Sequence, residues 1–329
     1  MTYDVFIHKF VHPFIVYVLI GSLVSYLLAL LMVQFAVIRN ARSKALLYIL
    51  PFIIPLAAYI AYRPFIIDRC TVYGHPLGVF NDWLCYSAEV LATILTPLFL
   101  VVVFLAVLKA FISIAAGKKI ARRYGFARAE EYPLLFNIME KLCLKGSITK
   151  PGIIVTPDSF ARSFTMGYKF PVIVVSKGLL DALDAEEMET VAAHELGHIA
   201  RADSVTTWAM VFLRDLLFFT PVIFWVFRDF ITEKEKAADD MVVRLTGRPM
   251  AFAQALIKVW RLSPKKFLDN VVFDNFMPHP NLLGQTGAVE FRIRRMLDHD
   301  PGRFKDYVQG YVAALIISTL TMFALFYVC

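Results

Sequence analysis

From Val11 to Ile38 the chain contains no Asp, Glu, Lys or Arg. A helix needs roughly 20 apolar residues to cross a hydrocarbon core about 30 Å thick, and this run exceeds that length. Three more such runs follow: Ala45 to Tyr62, Val90 to Leu108 (continuing weakly to Ala116) and Tyr307 to Cys329. Lipid cannot satisfy backbone donors and acceptors, so a trans-bilayer helix is the simplest structure for each. Composition agrees, since 58% of residues are hydrophobic and 19% charged, against about 45–50% and about 25% in soluble domains. The expected spans are about 11–38, 45–62, 90–112 and 307–329.

Basic loops set the orientation. Arg39, Arg42 and Lys44 lie between the first two spans, and Lys118, Lys119, Arg122 and Arg123 follow the third. Both loops are expected on the cytoplasmic side of the cell membrane, with the N-terminus and the loop Arg63–Glu89 outside. The net charge of +7 is read as affinity for an anionic membrane surface. No glycine-rich phosphate loop or aromatic-basic motif occurs, so no nucleic-acid partner is expected. No two of the four cysteines form a CxxC pair. Cys70 and Cys85 share the outer loop, where a disulfide and two free thiols are both open. The first apolar run is too long for a cleavable signal peptide and lacks a small-residue cleavage site.

The organisation expected is a membrane domain at 1–116, a polar domain at 117–306 and a last span at 307–329. In the polar region Glu130–Leu144 has helical spacing. Gly152–Thr156 and Pro171–Ser176 are β-branched runs bounded by proline and glycine. The fold class is thus a membrane α-helical bundle with an inserted α+β domain.

Residues 191–199 read Val-Ala-Ala-His-Glu-Leu-Gly-His-Ile, an HExxH pattern. Asp184 and Glu187 form a capping-box signature that starts a helix just upstream. In that helix His194 and His198 stand one turn apart on one face. Two imidazoles so placed can hold one Zn²⁺ ion per chain, and Glu195 beside them can take a proton from water.

A catalytic zinc site needs a third protein ligand. In residues 231–245, Ile231, Glu235, Ala238, Val242 and Leu245 share a mostly apolar helical face. Glu233, Ala237, Asp240 and Arg244 share the polar one. A glutamate on the apolar side is costly to bury unless paired or metal-bound. Glu235 is therefore the expected third ligand and Glu233 the solvated charge. Asp239 is placed to orient a histidine. Ser204–Phe230 is mostly apolar but holds Arg214 and Asp215. A single full crossing would strand Glu235 across the bilayer from the histidines. A hairpin or re-entrant segment over about 205–231, bent near Pro221, is expected instead.

These residues resemble the gluzincin zinc peptidases of the CAAX prenyl protease/HtpX family. The resemblance rests on His194-Glu-Leu-Gly-His198 with Glu235-x-x-Ala-Asp239, and on Gly178-Leu-Leu before the Asp184–Glu187 cap. Phe164-Thr-Met-Gly167 resembles that family's asparagine-alanine-phenylalanine motif, with Ser163 departing from the alanine. His279-Pro280 and Glu290-Phe-Arg292-Ile293 resemble its late segment, with extra residues between the halves. The chain also resembles the related receptor peptidases of the beta-lactam response, which have three spans, a cytoplasmic zinc domain and a fourth span. It departs from them at Ala238, where they carry cysteine, and its end at Cys329 implies no sensor domain.

The resemblance implies a zinc endopeptidase acting on polypeptides, membrane or membrane-proximal proteins first, from within the lipid bilayer. It implies zinc on His194, His198 and Glu235, with Glu195 as general base. It also implies that a peptide adds as a strand along Pro171–Ser176. His279 or Arg292 is a candidate to stabilise the oxyanion, and a salt bridge from Arg292 to Asp239 is the alternative. Quality control of membrane proteins and receptor-like cleavage of a regulator both fit, the first better.

Overall fold

The computed structural model describes residues 6, 10–35, 38, 40–69, 78–167, 169–262, 286–297 and 305–327. In chain order its helices are α1 (His12–Gln34), α2 (Ala41–Leu47), α3 (Leu50–Arg69), α4 (Gly78–Tyr124) and α5 (Pro133–Gly146). Three strands follow, β1 (Gly152–Thr156), β2 (Ser163–Met166) and β3 (Val172–Ser176). The remaining helices are α6 (Lys177–Ala182), α7 (Ala185–Ala200), α8 (Asp203–Leu216), α9 (Pro221–Thr246), α10 (Pro249–Leu262), α11 (Thr286–Leu297) and α12 (Lys305–Phe326). Two compact units emerge. One comprises Met1–Val107, Met210–Phe230 and Gly302–Cys329, the other Leu108–Ala209 and Ile231–Pro301.

The first unit carries helices built for lipid. Four helical stretches are long and apolar enough to cross a membrane: His12–Gln34, Ala41–Tyr62, Val90–Tyr124 and Val308–Phe326. The flanking helices run beyond the uncharged segments, since α3 continues to Arg69 and α4 begins at Gly78. The loop expected over 63–89 therefore shrinks, because helical hydrogen bonding does not stop where apolarity does. Small residues let these helices touch, as is usual in bilayers. A Cβ on Gly21 of α1 would lie 2.9 Å from Leu325 Cδ1 and 3.0 Å from Pro55 Cβ. Ser22 and Ser25 turn their hydroxyls onto carbonyls of α1 itself, Val18 and Gly21. Asn40 Oδ1 caps α2 by accepting from Arg42 N at 2.8 Å. Within this unit Tyr26 donates to Asp229 Oδ2 at 2.9 Å. Arg214 pairs with Asp215 through Nε at 2.9 Å and stacks 4.7 Å over the Phe227 ring.

The second unit is built on a three-stranded sheet of order β1-β3-β2. β1 pairs parallel to β3, with Ile153 opposite Ile173, and β2 pairs antiparallel, with Phe164 opposite Val174. Every residue of β3 is buried. Ile153, Ile173 and Val175 face a core with Met139, Leu142, Leu196, Val242 and Phe252. Ile154, Val172 and Val174 face Ile120, Ala121 and Tyr124, on the last turns of α4. The basic stretch after Ala116 is thus no loop, because its apolar residues cover a sheet face. The expectation that Pro171–Ser176 offers a rim for an added peptide is overturned. Both edges of β3 are taken, and the outer strands of the sheet are β1 and β2.

α7 begins where the capping box required. Asp184 Oδ1 accepts from Glu187 N at 2.9 Å, and Glu187 Oε2 accepts from Asp184 N at 3.0 Å. The apolar stretch after it folds as a hairpin, with α8 ending at Leu216 and α9 starting at Pro221. Proline opens α9, where its missing N–H breaks no helical bond. Three contacts give the direction. Arg201 donates to Ala237 O at 3.0 Å, Lys234 to Thr207 Oγ1 at 3.2 Å, and Arg214 lies over Phe227. Positions fall on one arm as they rise on the other, so the arms are antiparallel and Glu235 returns beside α7.

One glycine tests this packing. A Cβ on Gly178 would stand 2.0 Å from the Ser159 carbonyl oxygen, which no side-chain rotation can relieve. Gly178→Ala is expected to cost roughly 1–3 kcal/mol, seen as a lower thermal midpoint of the purified protein in detergent.

Candidate metal centre

α7 places His194 and His198 on one face, with Nε2 atoms 3.2 Å apart. α9 brings Glu235 between them, with Oε2 3.5 Å from His194 Nε2 and Oε1 3.7 Å from His198 Nε2. This approach depends on small residues. A Cβ on Gly197 would meet Met241 Cβ at 3.2 Å and Ala238 Cα at 3.5 Å. Ala238 itself is wholly buried. A larger residue at either position would hold the helices apart.

The remaining imidazole nitrogens point away from the cluster, toward acids. His198 Nδ1 lies 2.6 Å from Asp203 Oδ2, and His194 Nδ1 lies 3.2 Å from Asp239 Oδ1. Each acid is held in turn by an arginine. Arg201 donates to Asp203, while Arg292 donates through Nε to Asp239 Oδ2 at 2.9 Å and through a second nitrogen to Oδ1. Asp203 holds the His198 ring by a hydrogen bond and Asp239 faces the His194 ring, so both Nε2 atoms are turned toward the cluster.

Electrostatics follow from that packing. Burial opposes charge on His194, but its contacts with Asp239 and Glu235 outweigh burial and push its pKa up to about 9. Burial alone would raise the Glu235 and Asp239 carboxyls. His198 and His194 instead hold Glu235 well below the usual carboxylate range. Arg292 does the same for Asp239. Glu195, 6% exposed, accepts from Thr165 Oγ1 on β2 at 2.8 Å through Oε2.

His194, His198 and Glu235 fit a zinc ion. Their ligand atoms lie within 4.8 Å of one another. Two ligands each about 2.0–2.1 Å from a tetrahedral centre sit about 3.3–3.4 Å apart, close to the 3.2 Å between the imidazole Nε2 atoms, and Glu235 turns one oxygen toward each ring. Two imidazoles and one carboxylate leave the fourth position for water.

Other expected residues stand differently. Arg292 is buried and paired with Asp239, the salt bridge that the sequence offered as one of its two places. His279 and Cys70 lie outside the described residues, as does the Cys85 side chain. Glu233 is corrected: it is 8% exposed and paired with Lys236, not solvated. The face of α9 that looked polar is covered by α11, where Phe291 lies under Lys236 and Arg295 bonds Asp240. Asp203, Arg201, Thr165 and Lys234 were not found as site residues from sequence. Thr165 and Lys234 lay inside stretches that had drawn notice, but neither was singled out.

A paired-histidine helix with a glutamate between, joined to a later carboxylate on a chain rich in membrane-spanning helices, defines the class: a membrane zinc metallopeptidase. A profile of the BlaR1 peptidase M56 family matches residues 84–276, over half the chain, and the chain belongs to that family. The HtpX protease homologue of Dictyoglomus thermophilum is 29% identical over 210 residues, 51% of this chain and 69% of that protein. The homologue of Acaryochloris marina is 28% identical over 170 residues, 40% of this chain and 57% of its own length. The homologue of Dictyoglomus turgidum is 44% identical over 77 residues, 22% of this chain and 25% of its own. The chain thus spans under two thirds of two of these three relatives. The crystal structure of S. mikatae Ste24p matches more loosely, at 17% identity and TM-score 0.37 over 73% of this chain and 74% of that one.

Two outcomes are expected of the metal centre. Asp203→Ala frees the His198 ring and lowers zinc affinity about 10–100-fold, measured by competition with a chromophoric chelator. Because His194 binds a proton up to about pH 9, zinc must displace it at neutral pH. Apparent zinc affinity of metal-stripped protein therefore rises with pH until about 9 and then levels. Calorimetry in buffers of differing ionisation enthalpy should register the released proton.

Proposed function

We propose that this chain is a zinc endopeptidase hydrolysing peptide bonds of membrane or membrane-proximal proteins. The observation that carries the reading is the convergence of His194, His198 and Glu235 at 3.2–3.7 Å beside Glu195. These three residues would hold one zinc ion, which when bound lowers the pKa of water toward about 7 and polarises a carbonyl. Glu195, held by Thr165, takes the proton of the attacking water and passes it to the leaving amine. Asp239 and Asp203 keep the two imidazoles turned toward the metal.

Substrate would lie extended along the open edge of β2, which carries Thr165 and so runs beside Glu195. Backbone bonding of that kind selects little by side chain. The basic residues of 39–44 and 118–123 support a cytoplasmic peptidase region, at 117–306, between three spans and a fourth. A second reading, a receptor whose zinc domain cleaves a regulatory protein, draws on the match to the BlaR1 peptidase family. The readings part on substrate breadth, many misfolded membrane proteins against a single regulator.

Glu195→Gln in the full-length protein should retain one zinc per chain and lose about 10²–10⁴ in cleavage rate. The check is metal content beside proteolysis of a membrane-protein panel. Undiminished cleavage by that variant overturns the mechanism.

A further inference from the structure

Lys234 has no part in the mechanism above, yet it stands against the metal-binding cluster. It precedes Glu235 on α9 and is 5% exposed. Its Nζ donates to Thr207 Oγ1 at 3.2 Å and lies 3.6 Å from Glu235 Oε1. An ammonium has three N–H donors. Thr207 accepts one, Glu235 at 3.6 Å faces a second as an ion pair, and no further hydrogen-bond partner stands among the described residues. A buried donor left unmade is unfavourable, so the third invites an acceptor.

The place for that acceptor is defined. Lys234 lines a groove of about 710 Å³ together with His198, Thr165, Met166 and Trp208. Two other groove lysines, Lys118 and Lys169, are exposed. Arg292, the cation that sequence suggested for oxyanion binding, is spent on Asp239. Among the described residues, Lys234 is thus the cation that both lines the groove and touches a metal-binding residue.

We propose that Lys234 is a catalytic residue that donates its third N–H to the carbonyl oxygen of the scissile peptide. Attack by water forms a C–O bond, passes the water proton to Glu195 and moves the carbonyl π pair onto oxygen. That oxygen then bears full negative charge, and the Lys234 donor binds it more tightly than the neutral carbonyl. Collapse returns the pair, breaks the C–N bond and sends the amine off with the proton from Glu195. Lys234 transfers no proton in these steps, so its contribution is electrostatic.

This inference rests on the zinc peptidase reading, and one experiment separates the two. Full-length wild type, Lys234→Met, Lys234→Arg and Glu195→Gln are compared in detergent for zinc content, cleavage of fluorescein-labelled casein and affinity for a phosphinic peptide. Methionine keeps the unbranched stem and removes the donors. Lys234→Met is expected to keep one zinc per chain and lose about 10²–10³ in kcat, with KM within about twofold. Its affinity for the phosphinic peptide, a tetrahedral anion, should fall in parallel, and Lys234→Arg should recover part of both. Full kcat in Lys234→Met overturns the proposal. Loss of zinc in that variant also overturns it, since Lys234 would then only position Glu235. A wild type no more active than Glu195→Gln sinks the peptidase reading itself.

Discussion

Glu235 stands far along the chain from two histidines that α7 already holds together, and everything chemical depends on closing that distance. It closes where Gly197 meets Ala238 and Met241. Side chains of ordinary size at that crossing hold helix axes about 8–10 Å apart. Glycine against alanine permits a nearer approach, short enough for a glutamate to span. Leu196 and Gly197, between the two histidines, are therefore not spacers. Leu196, wholly buried, anchors α7 in the core while Gly197 opens the face toward α9.

Once the helices meet, the problem becomes charge. Two imidazoles and a carboxylate sit at 10–15% side-chain exposure, where bare ions are costly. Each is backed by an opposite partner: His194 by Asp239, itself held by Arg292; His198 by Asp203, itself held by Arg201; and Glu235 by Lys234, which also donates to Thr207. Buried ion pairs add little net stability, because desolvation takes back most of the Coulomb gain. Removing one member, by contrast, leaves an uncompensated charge at a cost of about 3–5 kcal/mol. The arrays are best understood as fixing ring orientation. Their one visible strain agrees, since Ala202 takes a left-handed φ of 52°. That conformation costs an L-residue roughly 1–2 kcal/mol, and the turn it makes sets Asp203 beneath His198.

What the sequence disclosed, and what it hid, follows from the range of each interaction. HExxH, the Asp184 cap and the amphipathic face holding Glu235 are patterns within one helix, so spacing alone exposes them. The four spans are legible for the same reason, because length and apolarity are local. Asp203 follows His198 by five residues but across a helix break, where periodicity carries no information. Thr165 reaches Glu195 from a strand. Glu233 was misjudged because α11 covers the face of α9 that looked solvated, and no property of residues 231–245 announces that cover. The open strand edge was misplaced likewise, since sheet order is set by pairing between segments and not by either segment.

The groove ties these strands of argument to substrate. β2 offers backbone groups, while Met166, Trp208 and Phe170 offer apolar surface. A chain lying there bonds through its backbone, which every peptide has, and buries apolar side chains, which membrane proteins have in excess. Selectivity in such a site comes from presentation, because only an unfolded or locally frayed segment can lie extended against an edge strand. On the proposed reading, the apolar helices would raise the local concentration of such segments when they belong to neighbours in the same bilayer. On the proposed reading, location at the membrane would supply much of the selectivity that side-chain recognition does not.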